Sequence, residues 1–318
     1  MATAVAHPNI ALVKYWGKRD VRLNLPSTGS ISMTVSDFET RTTVNWGTAA
    51  DELWIDGELA EIEPARRVFE HLDLIDPWRP RATVVSVNNF PVAAGLASSS
   101  SAFAALTVAA AAAAGQNRTP QELSLIARQG SGSACRSLWG GFVEWHKGRA
   151  NDGSDSHGTQ LAPQDHWDVA LVVAIFNAGE KKIGSRAAMI KTMETSPMYA
   201  AWVASASRDL SGARQAIMDT DIDDLGAVME RSALKMHSTM MTSDPAIRYW
   251  TSGSVWAMDV VEGLRAQGIS AWWTMDAGPN VKVLCSKEDA EYVAQRLGVV
   301  APEVCILGVG GPPRLVEE

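Results

Sequence analysis

The chain has 318 residues, of which 46% are hydrophobic and 20% are charged, and its net charge is −8. The length predicts about two domains or one large one, and the composition is that of a globular protein rather than a disordered one. The acidic balance argues against nucleic acid as the main partner, because binding to a phosphate backbone requires a basic face.

No segment is typical of a membrane span or a signal peptide. The longest apolar run covers residues 102–114, and a bilayer requires about 20 residues. The first residues lack a basic start followed by an apolar stretch. The three widely spaced cysteines, Cys135, Cys285 and Cys305, predict neither a disulfide framework nor a metal knuckle. We therefore expect a cytoplasmic protein with no membrane partner.

In chain order, strand-like and helix-like patterns alternate without a strict βαβ repeat. The predicted strands cover residues 31–36, 42–46, 51–57, 83–87, 169–176, 269–274 and 281–285. The predicted helices cover residues 63–74, 98–114, 120–129, 198–217, 222–237, 246–267 and 287–297. A polar stretch over 151–164 is expected to be an exposed loop. This mixture predicts an α+β protein, and we place its domains at 1–180 and 181–318.

One junction combines features that bind phosphate. After the strand at 83–87, a loop of small residues leads into four serines, Ser98 to Ser101, and an alanine-rich helix. The start of such a helix presents unpaired N–H groups and the positive end of the helix dipole, and a serine hydroxyl can ligate Mg²⁺. Alternatively, the serines only cap the helix. The segment is not a Walker loop, because no GxxxxGK[ST] sequence occurs.

Three further clusters pair cations with glycine or serine. They are Tyr15–Arg19, Gly130–Ser137 and Lys181–Arg186. Each alone is as well explained by a solvated turn or loop, but together they favour a polyanionic small molecule as ligand. Asp276 lies in a tight turn between two predicted strands, where an aspartate is also common for backbone reasons.

These segments together resemble the mevalonate diphosphate decarboxylases, a branch of the GHMP kinase superfamily. The resemblance covers about residues 5–315. Its motifs are the opening signature at 6–26, the phosphate loop at 88–101, the substrate motif at 131–136 and the aspartate motif at 276–280.

The resemblance implies a GHMP kinase fold with a ribosomal-S5-like N-terminal domain and a ferredoxin-like C-terminal domain. The active site would lie in the cleft between them, and the protein would be a homodimer. The implied reaction consumes ATP, with Mg²⁺, and mevalonate 5-diphosphate. The 3-hydroxyl is phosphorylated, phosphate and CO₂ leave, and isopentenyl diphosphate is formed.

The resemblance also implies the roles of individual residues. Asp276 would orient or deprotonate the 3-hydroxyl, and a neighbouring Lys18 would keep its carboxylate ionised. The substrate residues implied are Tyr15, Trp16, Gly17, Lys18, Arg66, Ser131, Gly132, Ser133, Ala134, Cys135, Arg136, Ser185, Arg186 and Met189. The ATP residues implied are Ser86, Asn88, Ala94, Gly95, Leu96, Ala97, Ser98, Ser99, Ser100 and Ser101. No residue is assigned to a metal.

The sequence departs from the family pattern mainly in the segment 177–182 and at Arg186, where many members have threonine. This segment contacts the phosphorylated end of the substrate in the family, so the number of phosphates on C5 stays open. The alternatives are a decarboxylase of mevalonate 5-phosphate, a mevalonate 3-kinase that does not decarboxylate, and a descendant that only binds ligands.

Overall fold

The computed structural model describes residues 1–90, 98–176 and 183–317 of the chain. The strands in this part are β1 (Ala2–Ala6), β2 (Asn9–Val13), β3 (Lys18–Asp20), β4 (Leu25–Pro26), β5 (Ser30–Thr34), β6 (Thr40–Trp46), β7 (Glu52–Ile55), β8 (Glu58–Leu59), β9 (Ala82–Asn88), β10 (Phe142–Trp145), β11 (Gly158–Ala162), β12 (Val169–Ile175), β13 (Trp272–Met275), β14 (Val281–Ser286), β15 (Glu303–Leu307) and β16 (Arg314–Val316). The helices are α1 (Ile62–Ile75), α2 (Ser98–Ala113), α3 (Pro120–Gly130), α4 (Ser185–Thr195), α5 (Tyr199–Asp219), α6 (Ile222–Met241), α7 (Ser252–Arg265) and α8 (Ala290–Leu297), and a 3-10 turn covers Gly132–Arg136.

The N-terminal part contains two of the larger sheets. One has the strand order β16-β1-β6-β9-β7-β8, and the other has the order β11-β10-β5-β2. The short strands β3 and β4 form a separate hairpin. The last strand of the chain, β16, pairs with the first, β1, so both ends of the described chain belong to one sheet.

The C-terminal sheet has the order β13-β14-β12-β15, with every pair antiparallel. Numbered along the chain, this is a β-α-β-β-α-β unit with the first strand between the third and the fourth, which is the ferredoxin-like arrangement. The α+β prediction and the ferredoxin-like expectation are therefore confirmed.

The strand Val169–Ile175 does not belong where the sequence analysis placed it. It pairs on one side with β14 and on the other with β15, so it forms the centre of the C-terminal sheet instead of closing the N-terminal domain. The domain boundary thus lies before Val169 and not at residue 180. Residue 180 itself lies outside the described residues. Local hydrophobicity predicts a strand but carries no information about which strands it pairs with.

The alanine-rich helix α2 packs closely against the six-stranded sheet. Ala104, Ala105, Ala109 and Ala110 have no exposed surface and lie in a cluster with residues of β1, β6 and β9. Small side chains let a helix approach its neighbours closely. The helix start is thereby fixed relative to the sheet. Among the described residues, no helix combines the length and apolarity that crossing a bilayer requires.

The structure differs from the predicted elements in three places. Helix α7 begins at Ser252 instead of residue 246, because Thr251 forms a capping box with Ser254. The polar stretch predicted to be a loop contains β11, which pairs with β10. Helix α4 was not predicted at all, since its sequence has little hydrophobic periodicity.

Gly226 tests how closely helix α6 packs against Trp272. A Cβ at this position would lie 1.9 Å from Cγ of Trp272, so we expect Gly226→Ala to lower the free energy of unfolding by about 1–3 kcal/mol. Gly263 in α7 has no atom within 4 Å of such a Cβ. Gly263→Ala should instead raise stability by roughly 0.5–1 kcal/mol through helix propensity. Urea unfolding of both variants measures the difference, and equal effects would contradict the packing described here.

Candidate active site

The motifs identified in the sequence converge on one cavity of about 450 Å³. The predicted residues that line it are Tyr15, Trp16, Lys18, Ser98, Ser99, Ser131, Gly132, Ser133, Arg136, Ser185, Arg186, Met189 and Asp276. Residues that were not predicted also line it, among them Asn9, Lys14 and Arg67. The lining comes from both parts of the chain, so the cavity lies between them.

Asp276 sits in this cavity between two buried lysines. Its Oδ1 accepts a hydrogen bond from Lys14 Nζ at 2.7 Å, and its Oδ2 accepts one from Lys282 Nζ at 2.9 Å. Both lysine side chains are 1% exposed, whereas that of Asp276 is 29% exposed. Burial opposes ionisation of Asp276, but the two cations outweigh it and hold the pKa of the carboxyl well below its usual range.

Lys14 is itself positioned by several contacts. Its Nζ also donates to the Ala11 carbonyl at 2.8 Å, and its backbone N–H donates to Ser232 Oγ at 3.0 Å. Burial lowers the pKa of Lys14 to about 8, although the charge of Asp276 partly offsets this effect. Since Lys14 directly follows the N-terminal strand β2 and Ser232 lies in α6, these contacts join the two parts of the chain.

The expectation that Lys18 is the lysine beside Asp276 is wrong. Lys14 and Lys282 occupy that position, and Lys18 has no carboxylate within ion-pair distance among residues 1–90, 98–176 and 183–317. Burial, together with the nearby charges of Arg186 and Arg67, lowers the pKa of Lys18 to about 8. Lys18 lies four residues after Lys14, beyond Gly17, and it lines another wall of the cavity.

Arg136 is a buried cation whose hydrogen bonds are to neutral groups. Its Nη1 donates to Ser30 Oγ at 2.6 Å, and its Nε donates to Ser32 Oγ at 2.9 Å and to Asn9 Oδ1 at 3.1 Å. Within the described residues, no carboxylate forms an ion pair with it. Its charge is thus directed at the cavity, as is required for binding an anion.

The start of α2 lies beside the Ser131 segment, although 32 residues separate them. Ser99 Oγ is 3.2 Å from Ser131 Oγ, which is 3.4 Å from Ser133 Oγ. Ser100 and Ser101 point away from the cavity and are fully buried. Ser100 Oγ accepts from the Asn9 backbone N–H, and Ser101 Oγ lies 2.7 Å from Thr40 Oγ1. Two of the four serines therefore face the cavity, and the other two fasten the helix.

Arg66 lies outside the cavity, which corrects its assignment to the substrate. It forms ion pairs with Glu63 and Glu70 on the exposed side of α1. The adjacent residue Arg67 lines the cavity instead. A helix turns by about 100° per residue, so an assignment shifted by one position selects the wrong face.

Lys18, Arg67 and Arg186 form a basic wall of the main cavity. A smaller cavity of about 280 Å³ adjoins this wall, with Lys18, Arg22, Arg67 and Arg186 in its lining. A third cavity of about 240 Å³ lies on the other side of the α2 start. It is largely apolar, with Leu53, Val84, Phe103 and Leu106 in its lining, and the predicted residues Ser86 and Asn88 also line it. Ser98 and Ser99 border both this cavity and the main one.

Some predicted residues do not reach the cavity surface. Ala134 and Cys135 are fully buried in the 3-10 turn beside Arg136, and burial raises the pKa of the Cys135 thiol to about 12. Gly17 also lies outside the lining. The predicted ATP residues Ala94, Gly95, Leu96 and Ala97 lie outside the described residues.

The sequence contains a signal by which Lys14 and Lys282 could be identified. Each lysine adjoins or interrupts an apolar run, 10–13 for Lys14 and 281–285 for Lys282. A charge in a buried strand is almost always paired. Each run therefore indicates that its lysine has an anionic partner, but not which residue supplies it.

The loop that carries Tyr15 and Lys18 is held by helices of the C-terminal part. Trp202 Nε1 donates to the Trp16 carbonyl at 3.1 Å, and Tyr199 Oη donates to Ser27 Oγ at 2.7 Å. Gly17 has a φ of +89°, and a Cβ there would lie 1.9 Å from Tyr199 Oη. Glycine is required at this position both for its backbone conformation and for the close approach of Tyr199.

Comparisons with known proteins agree over nearly the whole chain. Residues 6–158 match the diphosphomevalonate decarboxylase-like N-terminal domain, and residues 171–305 match the mevalonate 5-diphosphate decarboxylase C-terminal domain. The diphosphomevalonate decarboxylase of Aspergillus fumigatus is 38% identical over 317 residues, covering 92% of this chain and 78% of the relative.

Two solved structures extend this similarity to the fold. The mevalonate diphosphate decarboxylase of Staphylococcus aureus superposes with a TM-score of 0.94 at 35% identity, covering 99% of this chain and 98% of the other. The protein described as MDDEF in complex with MVAPP, AMPPCP and magnesium superposes with a TM-score of 0.93 at 39% identity, covering 100% and 99% of the two chains.

The fold and the cavity thus define a two-domain α+β enzyme of the GHMP kinase type, with a cationic cleft built around one buried carboxylate. The chain belongs to the diphosphomevalonate decarboxylase family.

Substitution of Gly17 tests how the Tyr15–Lys18 loop is held. We expect Gly17→Ala to lower the free energy of unfolding by about 1 kcal/mol through its positive φ and by about 1–3 kcal/mol more through overlap with Tyr199. Gly57 has the same φ of +89° and no atom within 4 Å of a Cβ, so Gly57→Ala isolates the first effect. If urea unfolding gives the same loss for both variants, Tyr199 does not constrain the loop.

Proposed function

We propose that this cavity carries out the ATP-dependent decarboxylation of mevalonate 5-diphosphate to isopentenyl diphosphate, CO₂, ADP and phosphate. The observation that carries the proposal is the Asp276 carboxylate, held between two buried lysines in a cavity that also contains the α2 start and Arg136. Such a site can orient a hydroxyl group while it binds several anions.

The phosphorylated end of the substrate fits the basic wall of the cavity. Lys18, Arg67 and Arg186 lie together there. The charges of Arg186 and Arg67 lower the pKa of Lys18, and the charge of Arg186 lowers that of Arg67. Cations that lack carboxylate partners and repel one another are stabilised when a diphosphate binds between them. Tyr15, Ser131 and Ser133 add hydroxyl groups to the same region. The smaller adjoining cavity provides room for a second phosphate, which favours the diphosphate over the monophosphate.

The nucleotide fits the other side of the α2 start. Its phosphates would lie against Ser98, Ser99 and the N-terminus of the helix, whose dipole favours negative charge. The apolar cavity lined by Leu53 and Phe103 suits the adenine base. Mg²⁺ would enter with the nucleotide, held by its phosphates and a serine hydroxyl, and would neutralise charge on the transferred phosphoryl group.

The chemistry then follows from the position of Asp276. Its carboxylate accepts a hydrogen bond from the 3-hydroxyl and directs the oxygen at the γ-phosphorus of ATP, and ADP leaves. Because the pKa of Asp276 is low, its carboxylate is a weak base, so it takes up the hydroxyl proton only late in phosphoryl transfer, and orientation is its main contribution. The C3–O bond then breaks with loss of phosphate, the electrons of the bond to the carboxylate form the C=C bond, and CO₂ departs.

The homodimer implied by the family resemblance and the cytoplasmic location expected from the sequence composition remain predictions. Light scattering of the purified chain tests the dimer. A purified chain that is monomeric would contradict this prediction.

The central assay supplies MgATP with either mevalonate 5-diphosphate or mevalonate 5-phosphate and measures CO₂, ADP and phosphate. We expect all three products from the diphosphate and a much lower kcat/KM with the monophosphate. Asp276→Asn should lower kcat by roughly 10²–10⁴-fold with little change in KM, because the orienting charge is lost while the binding groups remain. ADP formed without CO₂ would indicate a 3-kinase, and no turnover with either substrate would overturn the proposal.

Arg136 is predicted to act mainly in substrate binding. Arg136→Met removes the buried cation, so we expect KM for the phosphorylated substrate to rise roughly 10- to 100-fold, the loss of a charged hydrogen bond. Arg136→Lys keeps the charge and should recover part of this loss. Steady-state kinetics of the two variants measures the effect, and an unchanged KM in Arg136→Met would show that the substrate binds elsewhere.

A further inference from the structure

Lys282 is a fully buried lysine in the middle of the C-terminal sheet. In strand β14 its neighbours Val281 and Val283 pack into the core beside α7 and α8, whereas Leu284 packs into the core shared with the N-terminal part. Because side chains alternate between the faces of a strand, Lys282 lies on the same face as Leu284, and its Nζ lies 2.9 Å from Asp276 Oδ2.

A position of this kind would ordinarily be filled by an aliphatic residue. Burying an ammonium group is costly, and replacing buried ion pairs by apolar residues is often neutral or stabilising. Folding alone therefore does not call for a lysine at 282. The reason is better sought in what Lys282 does to the group that it contacts.

The two lysines on Asp276 are not equivalent. Lys14 and Asp276 line the main cavity, but Lys282 is not among its lining residues. Lys14 can therefore contact a bound ligand directly, while Lys282 affects the ligand through the Asp276 carboxylate that it contacts. With both lysines charged, the cluster of Lys14, Lys282 and Asp276 has a net charge of +1.

The net charge of the cluster becomes important when the ligands of the proposed function bind. A nucleotide polyphosphate, a diphosphate and a substrate carboxylate each repel Asp276, which favours its protonation. One lysine would only balance the carboxylate. The second lysine keeps the cluster cationic, and it holds the oxygen that Lys14 does not hold.

We propose that Lys282 is a positioning residue, which keeps Asp276 ionised and correctly oriented while the anionic ligands fill the cavity. The inference rests on the proposed function, since it is the anionic ligands that make a second cation necessary.

The other groups facing Asp276 do not replace Lys282. Arg136 interacts with Asp276 electrostatically from the 3-10 turn, but its hydrogen bonds are to Asn9, Ser30 and Ser32. His237 faces Asp276 from α6, and its burial lowers its pKa to about 3, so it is neutral near pH 7. Lys14, which directly follows β2, contacts Oδ1 and not Oδ2.

The test compares Lys282→Met and Lys282→Arg with a matched control. Lys235 Nζ also lies 2.9 Å from a buried carboxylate, that of Asp209, and the pair is outside the cavity lining. We expect Lys282→Met to lower kcat by about 100-fold, as for loss of an electrostatic catalytic contact, with KM within about threefold. Lys282→Arg should recover part of kcat, and Lys235→Met should leave kcat unchanged.

The pH profile separates this role from a structural one. Without the Lys282 charge, the pKa of Asp276 rises, so the acid limb of kcat should move to higher pH in Lys282→Met but stay near its normal position in Lys282→Arg. If Lys282→Met does not fold, Lys282→Gln serves in its place, because it keeps a hydrogen-bond donor without the charge.

Two results would overturn the inference, and both require an active wild-type chain. One is a kcat and an acid limb in Lys282→Met or Lys282→Gln that match those of wild type. The other is a kcat loss in Lys235→Met as large as in Lys282→Met. An inactive wild-type chain would overturn the proposed function instead, so the two failures are distinguishable.

Discussion

The structure depends on one ion cluster, in which the Asp276 carboxylate bridges Lys14 of the N-terminal part and Lys282 of the C-terminal sheet. Both lysines are almost fully buried, so a mismatch of the two parts of the chain would leave a buried charge unpaired at a cost of several kcal/mol. The cluster therefore fixes how the two parts meet. It also places the one exposed portion of this cluster, the Asp276 carboxylate, at the cavity surface.

Around this cluster, an acidic chain builds a cationic cavity. Lys18 and Arg136 lack carboxylate partners within the described residues, although the chain as a whole carries a net charge of −8. Neutral hydrogen-bond partners hold the Arg136 side chain without cancelling its charge. Such unpaired cations are unfavourable in the unliganded protein and become favourable when anions bind. They lower the stability of the unliganded protein, and ligand binding offsets this loss.

Rigid packing delivers these groups to their places. The alanines of α2 bring the helix start close to the six-stranded sheet, and Ser100 and Ser101 fasten it there while Ser98 and Ser99 face the cavities. Tyr199 and Trp202 hold the Tyr15–Lys18 loop from the opposite part of the chain. Side chains held at both ends of the cleft need little rearrangement to bind ligands.

The sequence by itself determined the α+β class, most of the helices and the identity of the main site segments, because periodicity, small-residue loops and family motifs are local patterns. It did not determine that Val169–Ile175 pairs with C-terminal strands, that Arg67 and not Arg66 faces the cavity, or that Lys14 and Lys282, and not Lys18, hold Asp276. These facts depend on strand pairing, helix rotation and the meeting of residues more than 200 positions apart. Only the tertiary structure decided them, since charge pairing acts through space and no local pattern shows which residues pair.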